Sequence, residues 1–360
     1  MGRRAWFREN GKSTPARRRS APLRTPASPY LTPETLLLRR RLARRRRRVR
    51  RFVMLALVLF TGAAVTFVAS DMGGSAPSRT KRIGGLHAAL GRRRPPKLAS
   101  LPRGGHTLFP GHLVVASYGI VGTSNVLGRT RDPEADAAGI ERAAAAFAPF
   151  SRPVQPAFEL VTTIASPDPG PDGTYSSPLA TATLNRYLAA AHRHKLLLIL
   201  DFQPGRGEFL PQVRRYERLL LDPSVGVALD PEWKLTSSQV PDQVIGTASA
   251  SAINAVSAYV SRLVTVHHLP QKLFVVHEFR LSELPDRHNI RIRRGLATVL
   301  QMDGLGPVAT KLDSYRQVMK HASAFRPGFK VFLRPSDDPV RMTPARIMHL
   351  HPRPDYVSYQ

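Results

Sequence analysis

The 360-residue chain has no cysteine. It can form neither a disulfide nor a thiolate nucleophile, so its folded part must rest on its own core. That is compatible with an oxidising exterior without requiring one. GxGxxG occurs nowhere and no Walker loop is present, so no nucleotide cofactor is expected. No HExxH or comparable spacing marks a metal centre, and no GxSxG elbow supports Ser336 as a nucleophile. Acidic residues are few, 25 against 54 Lys and Arg, but the imbalance is local. Residues 1–105 carry 26 basic and 3 acidic side chains, and the remaining 255 carry 28 and 22, so most of the formal charge of +29 belongs to a leader.

Residues 1–51 mix Arg with Pro, Ser and Thr and end in RRRLARRRRRVRR. Charge at this density cannot be buried, and a disordered basic tail is expected. FVMLALVLFTGAAVTFVAS, residues 52–70, follows without a charge. At roughly 1.5 Å per residue it just crosses a bilayer core of about 30 Å. The basic flank places the tail in the cytoplasm and the rest outside, which makes a single-pass protein of the cell membrane. The same run also has the length of a secretory h-region cut near Val68-Ala69-Ser70, which would release a secreted protein. The arginines lack zinc ligands, a recognition-helix pattern and interleaved aromatics, so anionic membrane lipid, not nucleic acid, is the expected partner. Residues 71–105, rich in Gly, Pro, Ser and Arg, read as a linker.

Within 106–360, eight apolar runs alternate with helix-like segments. They are LVVASYG, FELVTTIAS, LLLILDF, GVALDPEW, QKLFVVHEFR, LATVLQMDG, KVFLRP and DYVSYQ. Continuous apolar runs are how strands buried on both faces read, and eight closes a (β/α)8 TIM barrel whose last helix is missing. An open doubly wound sheet also alternates strand and helix, but its phosphate loop is absent. The expected fold is thus α/β: a TIM barrel of about 255 residues behind a disordered tail, a transmembrane helix and a linker.

Polar residues gather where these strands end, the side on which barrels carry their sites. This register collects Tyr118, Asp201, Gln203, Asp230, Glu232, His277, Glu278, Gln301, Asp303, Arg334 and Asp337. A period of two puts Asp230 with Glu232, Asp201 with Gln203, and Gln301 with Asp303. So many acids around one mouth repel unless protons, cations or donors moderate them. Paired carboxyls suit cleavage of a glycosidic bond, one as acid and one as nucleophile or base. Glu232 is the first choice for acid, Asp201 and Asp230 tune it or touch substrate, and Glu278 or Asp303 acts across the mouth. Trp233, Tyr118 and Phe202 offer stacking surface, while Gln203, His277, Gln301, Arg334 and Asp337 offer substrate contacts. His277 and Glu278 with Asp201 and Asp230 would alternatively make a metal-dependent hydrolase, though no metal ligand is assigned. Asp before Pro or Gly also commonly just caps a turn.

The run LILDFQPGRGEFLPQVRRYERLLLDPSVGVALDPEW, preceded by FPGHLVVASYG, resembles the extracytoplasmic barrel domains of actinobacterial membrane proteins or lipoproteins, themselves loosely similar to TIM-barrel glycoside hydrolases. The resemblance covers 109–360. It implies a secreted carbohydrate-related role and supplies no catalytic residue; with the apolar span and the carboxylates, the leading expectation is a membrane-tethered glycoside hydrolase acting on a cell-wall or extracellular glycan. The chitinase pattern DxxDxDxE is missing from the fourth strand, and Arg334 and Pro335 stand where many retaining barrel enzymes have glutamate. A noncatalytic glycan- or wall-binding barrel is the alternative that these departures leave open.

Overall fold

The computed structural model describes residues 99–123, 126–150 and 152–360. Nine strands are present among the described residues: β1 (Leu113–Gly119), β2 (Val154–Ala165), β3 (Ser176–Pro178), β4 (Leu197–Phe202), β5 (Val225–Leu229), β6 (Lys272–Glu278), β7 (Leu296–Met302), β8 (Arg326–Val331) and β9 (Tyr356–Tyr359). Eight pair in parallel in the ring β1-β2-β4-β5-β6-β7-β8-β9, and β9 returns to β1. The short β3 pairs antiparallel with the end of β2. Helices α1 (Pro133–Ala145), α2 (Thr181–His194), α3 (Phe209–Arg214), α4 (Glu217–Leu220), α5 (Ala250–Val266), α6 (Val308–Met319) and α7 (Pro344–Met348) flank the ring. This is a TIM-like barrel.

The expected architecture is corrected on its membrane part. No helix among the described residues is long and apolar enough to cross a membrane, and residues 52–70, where the span was expected, lie outside them with the rest of 1–98. Single-pass topology, and the localisation built on it, therefore have no support in the structure.

Local chemistry accounts for the elements. Asp132 caps α1 by accepting from Glu134 N, with Pro133 pre-set at the first helical position. Ser249 caps α5 by accepting from Ala252 N. Alternate strand residues then separate two cores. Val115, Phe158, Leu198, Leu200, Phe274 and Phe329 pack outward against the helices. Val114, Ala116, Ala157, Ile199, Ala228, Val275 and Val299 fill the barrel, joined by Leu101, Leu108 and Phe109 from the segment before β1. Gln271 Oε1 accepts from the backbone N–H groups of Leu108 and Phe109, which fastens that segment where β6 begins. Burying these side chains is worth roughly 1.5–3 kcal/mol each.

The loops beyond the strand ends interlock. Gly205, at φ +61°, bridges to Lys234, and Leu235 N donates to Gly205 O at 2.8 Å. A Cβ on Gly205 would lie 2.3 Å from Thr174 O, so the loops after β2, β4 and β5 meet at a point where only glycine fits. Gly205→Ala is expected to cost about 2–3 kcal/mol and to lower the melting temperature by roughly 5–10 °C. An unchanged melting curve would mean that this close approach contributes nothing to stability.

Candidate active site

The inward stripe turns from apolar to polar towards the C-terminal strand ends. A buried chain of groups crosses the barrel there. Tyr356 OH donates to Glu159 Oε2 at 2.8 Å, and Glu159 Oε1 lies 2.9 Å from His277 Nε2. His277 Nδ1 lies 3.2 Å from Asp303 Oδ2, which also faces Lys330 Nζ at 3.6 Å. Lys330 Nζ in turn sits 3.7 Å above the Tyr118 ring. Each ring nitrogen of His277 faces a carboxyl oxygen, so both carry protons.

The electrostatics follow this geometry. Burial opposes the charge on His277, but the nearby Glu159 charge and the hydrogen bonds to Asp303 and Glu159 outweigh it, and its pKa stands well above the ordinary histidine value. Burial likewise opposes the Asp303 charge, yet Lys330 and His277 hold its pKa below the usual aspartate value. Burial also works against the Lys330 ammonium and loses to Asp303 and Glu159, so its pKa is raised.

Asp201 and Asp230 are in the opposite condition. Burial, only partly offset by His277, pushes Asp201 up to about 7. Burial and the charges of Glu232 and Asp201 raise Asp230 well above its usual value. Neither oxygen of Asp201 has a partner at full hydrogen-bond geometry, although the Tyr118 hydroxyl acts on it as a weak donor, and Asp230 Oδ1, Asp303 Oδ1 and Gln301 Oε1 have no partner. Buried acceptors are rarely left so, and a group of them marks a place where donors are supplied by something else. Gln203 Nε2 does reach Tyr118 Oη and Asp230 Oδ2, both at 3.2 Å, and its Oε1 accepts from Ala165 N.

One oxygen or nitrogen from each of Asp230, His277 and Asp303 can lie within 4.8 Å of the others, close enough to consider a metal ion. The donor set fits poorly. Nδ1 of His277 already holds a proton against Asp303, and the Lys330 ammonium faces the same oxygen. An ion there would have to displace one cation and sit beside another.

The structure brings Tyr118, Asp201, Gln203, Asp230, His277, Gln301 and Asp303 into one mouth. It moves others. Phe202 points outward against Tyr216, with ring centroids 5.7 Å apart, because it has the opposite parity to Asp201. Glu278 shares the outward parity of its pairing partner Met302, and its Oε2 is paired with Arg287 Nη1 at 2.6 Å. It is a poor candidate for base or nucleophile inside the barrel. Burial, more than Arg287 offsets, raises it to about 7. Glu232 and Trp233 lie on a single 3₁₀ turn, Pro231–Trp233, beyond β5, so strand parity does not extend to them. Both are half-buried.

β8 begins at Arg326, four residues before the run expected as strand seven, and ends at Val331. Arg334 and Asp337 thus sit in the following loop, where Asp337 N donates to Arg334 O and its Oδ1 accepts from Ser336. The earlier start makes Lys330 the inward residue. Sequence reasoning missed Lys330, Glu159 and Tyr356. A lone glutamate inside FELVTTIA, at the parity of Ala157, was the readable signal for Glu159. The position of Lys330 depends on strand register, which a short run does not fix.

No protein-family model and no curated protein matches the chain. The actinobacterial and glycoside-hydrolase assignments therefore gain no support, and the expected membrane-tethered hydrolase of a wall glycan is replaced by a more general statement. The chain folds as a barrel of the kind that carries many enzymes, with a buried Asp/His/Asp cluster at its mouth.

Proposed function

We propose that the barrel is a hydrolase that uses two carboxyl groups held in opposite protonation states. One observation carries this reading. Asp303 keeps one oxygen between His277 and Lys330 and the other unpartnered, while Asp201, buried with only a weak donor in the Tyr118 hydroxyl, is poised near pH 7. Both carboxyls act on Asp230, which ties them to one site.

Asp303 Oδ1 is the nucleophile: it attacks the electrophilic carbon of the substrate, and the bond to the leaving atom breaks. Asp201 gives its proton to that atom. Water then attacks the intermediate on Asp303, an ester where the carbon was that of an acetal and an anhydride where it was an acyl carbon, passes its proton to the Asp201 carboxylate and releases the product and a free Asp303. His277 and Lys330 steady the Asp303 charge before attack and as it leaves, without joining a bond.

A panel of chromogenic esters, amides and acetals tests the proposal. Asp303→Asn and Asp201→Asn are each expected to lower kcat about a hundred- to ten-thousandfold. With Asp201 as acid, kcat should be level below pH 6 and fall as the pH rises through about 7; that fall should be absent in Asp201→Asn. Turnover indifferent to both substitutions would reject the assignment.

A further inference from the structure

Gln203 joins the polar groups on the Asp201 side of the mouth. It follows β4 and is 4 % exposed. Its backbone is tied on both sides: its N–H donates to Thr163 O at 3.0 Å, and its carbonyl accepts from Ser176 Oγ at 2.6 Å. The side-chain Oε1 accepts from Ala165 N at 3.2 Å. A backbone N–H only donates, so the amide has one orientation. Both Nε2 protons are then committed, one to Tyr118 Oη and one to Asp230 Oδ2, each at 3.2 Å. The substrate contact expected of Gln203 from its place at a strand end is thus replaced by two contacts within the protein.

Each of these bonds decides where another proton goes. The Tyr118 oxygen accepts from Gln203, which leaves the hydroxyl its single proton to offer, and Asp201 is the carboxyl that receives it. Asp230 Oδ2 is occupied by the amide, so a proton on Asp230 sits on Oδ1, the oxygen without a partner in the protein.

We propose that Gln203 is a positioning residue: through Tyr118 it aims a hydroxyl at one oxygen of Asp201 and leaves the other for the proton that the reaction uses, and directly it keeps Oδ1 as the oxygen of Asp230 that meets substrate. The proposal rests on the hydrolase reading for the use of that proton, but its first test needs no turnover. Carbon-13 carboxyl titration of the full-length protein, with Asp201→Asn to assign the signal, would be run on Tyr118→Phe, Gln203→Met and the pair. Glu159 on β2, His277 on β6 and Lys330 on β8 act on Asp201, and Glu232, Asp201, His277 and Asp303 act on Asp230; neither substitution touches them.

A donor to a carboxylate favours its charged form. Tyr118→Phe is expected to raise the Asp201 midpoint by roughly one unit. Gln203→Met should raise it by less, because the hydroxyl stays but is free to turn. The pair should read like Tyr118→Phe alone, since Gln203 reaches Asp201 through the hydroxyl. The alkaline fall of kcat should move with the midpoint. An Asp201 midpoint unmoved in Tyr118→Phe, one moved by Gln203→Met to the same extent with and without Tyr118, or a Gln203→Met protein that melts lower with Asp201 unmoved would each overturn the proposal. If Gln203→Met does not fold, glutamine nitrogen-15 labelling decides: Tyr118→Phe must shift one of the two Gln203 side-chain amide protons, and an unmoved pair would overturn the proposal. Moved midpoints in a protein without turnover would keep this network and remove the hydrolase; turnover with Asp201 unmoved in these variants would do the reverse.

Discussion

Asp201→Asn is expected to make the protein more stable, and increasingly so as the pH rises. Asp201 is fully buried, its only donor is a weak one from the Tyr118 hydroxyl, and its folded-state pKa is raised from 3.8 to about 7. Between those values the folded protein holds a proton that the unfolded chain releases, so native stability falls as the pH climbs through the window. Three units correspond to on the order of 4 kcal/mol, or a shift of roughly 10 °C in melting temperature for a domain of this size. Asparagine does not titrate. The difference between variant and wild type should therefore open from about pH 4, widen to about pH 7 and stay level above it. Thermal melts across that range measure it. A gap that does not change with pH would mean Asp201 is an ordinary, ionised aspartate. The gain in stability with loss of turnover is the exchange expected of a group kept for chemistry.

His277→Gln should act in the opposite direction. The imidazolium separates Glu159 and Asp303, and its removal leaves both carboxyls buried with less compensation. Breaking a buried ionic network by deleting one partner costs about 3–5 kcal/mol. The sign with pH is also fixed. His277 has a raised folded-state pKa, so its contribution is fully present below about pH 6.5 and fades only as the pH rises through the raised value. The penalty of the variant should narrow in alkaline solution. A penalty under about 1 kcal/mol at pH 6 would show that the chain from Tyr356 to Lys330 is not a coupled network.

Much of this was legible beforehand, and the physical reasons differ from residue to residue. The eight parallel strands could be read because burial on both faces leaves unbroken apolar runs, as in LLLILD and LFVV. Asp201, Asp230, His277 and Asp303 could be placed because each closes such a run. Glu159 was hidden by its position inside a run, where one acid looks like an interruption and not an ending. Lys330 was hidden by register: with β8 read four residues late, it became the first residue of a strand and not the inward group opposite Ser358. Glu278 and Phe202 were misplaced because a strand end delivers neighbouring residues to opposite faces, and the sequence names both without saying which is inside.

The central claim is that Asp201 and Asp303 share a mouth in opposite protonation states. Carbon-13 carboxyl titration of the full-length protein labelled at aspartate, with Asp201→Asn and Asp303→Asn to assign the two signals, measures it directly. The account predicts an Asp201 midpoint near 7 and an Asp303 midpoint below the ordinary aspartate value of 3.8. Two midpoints together near 4 would contradict it.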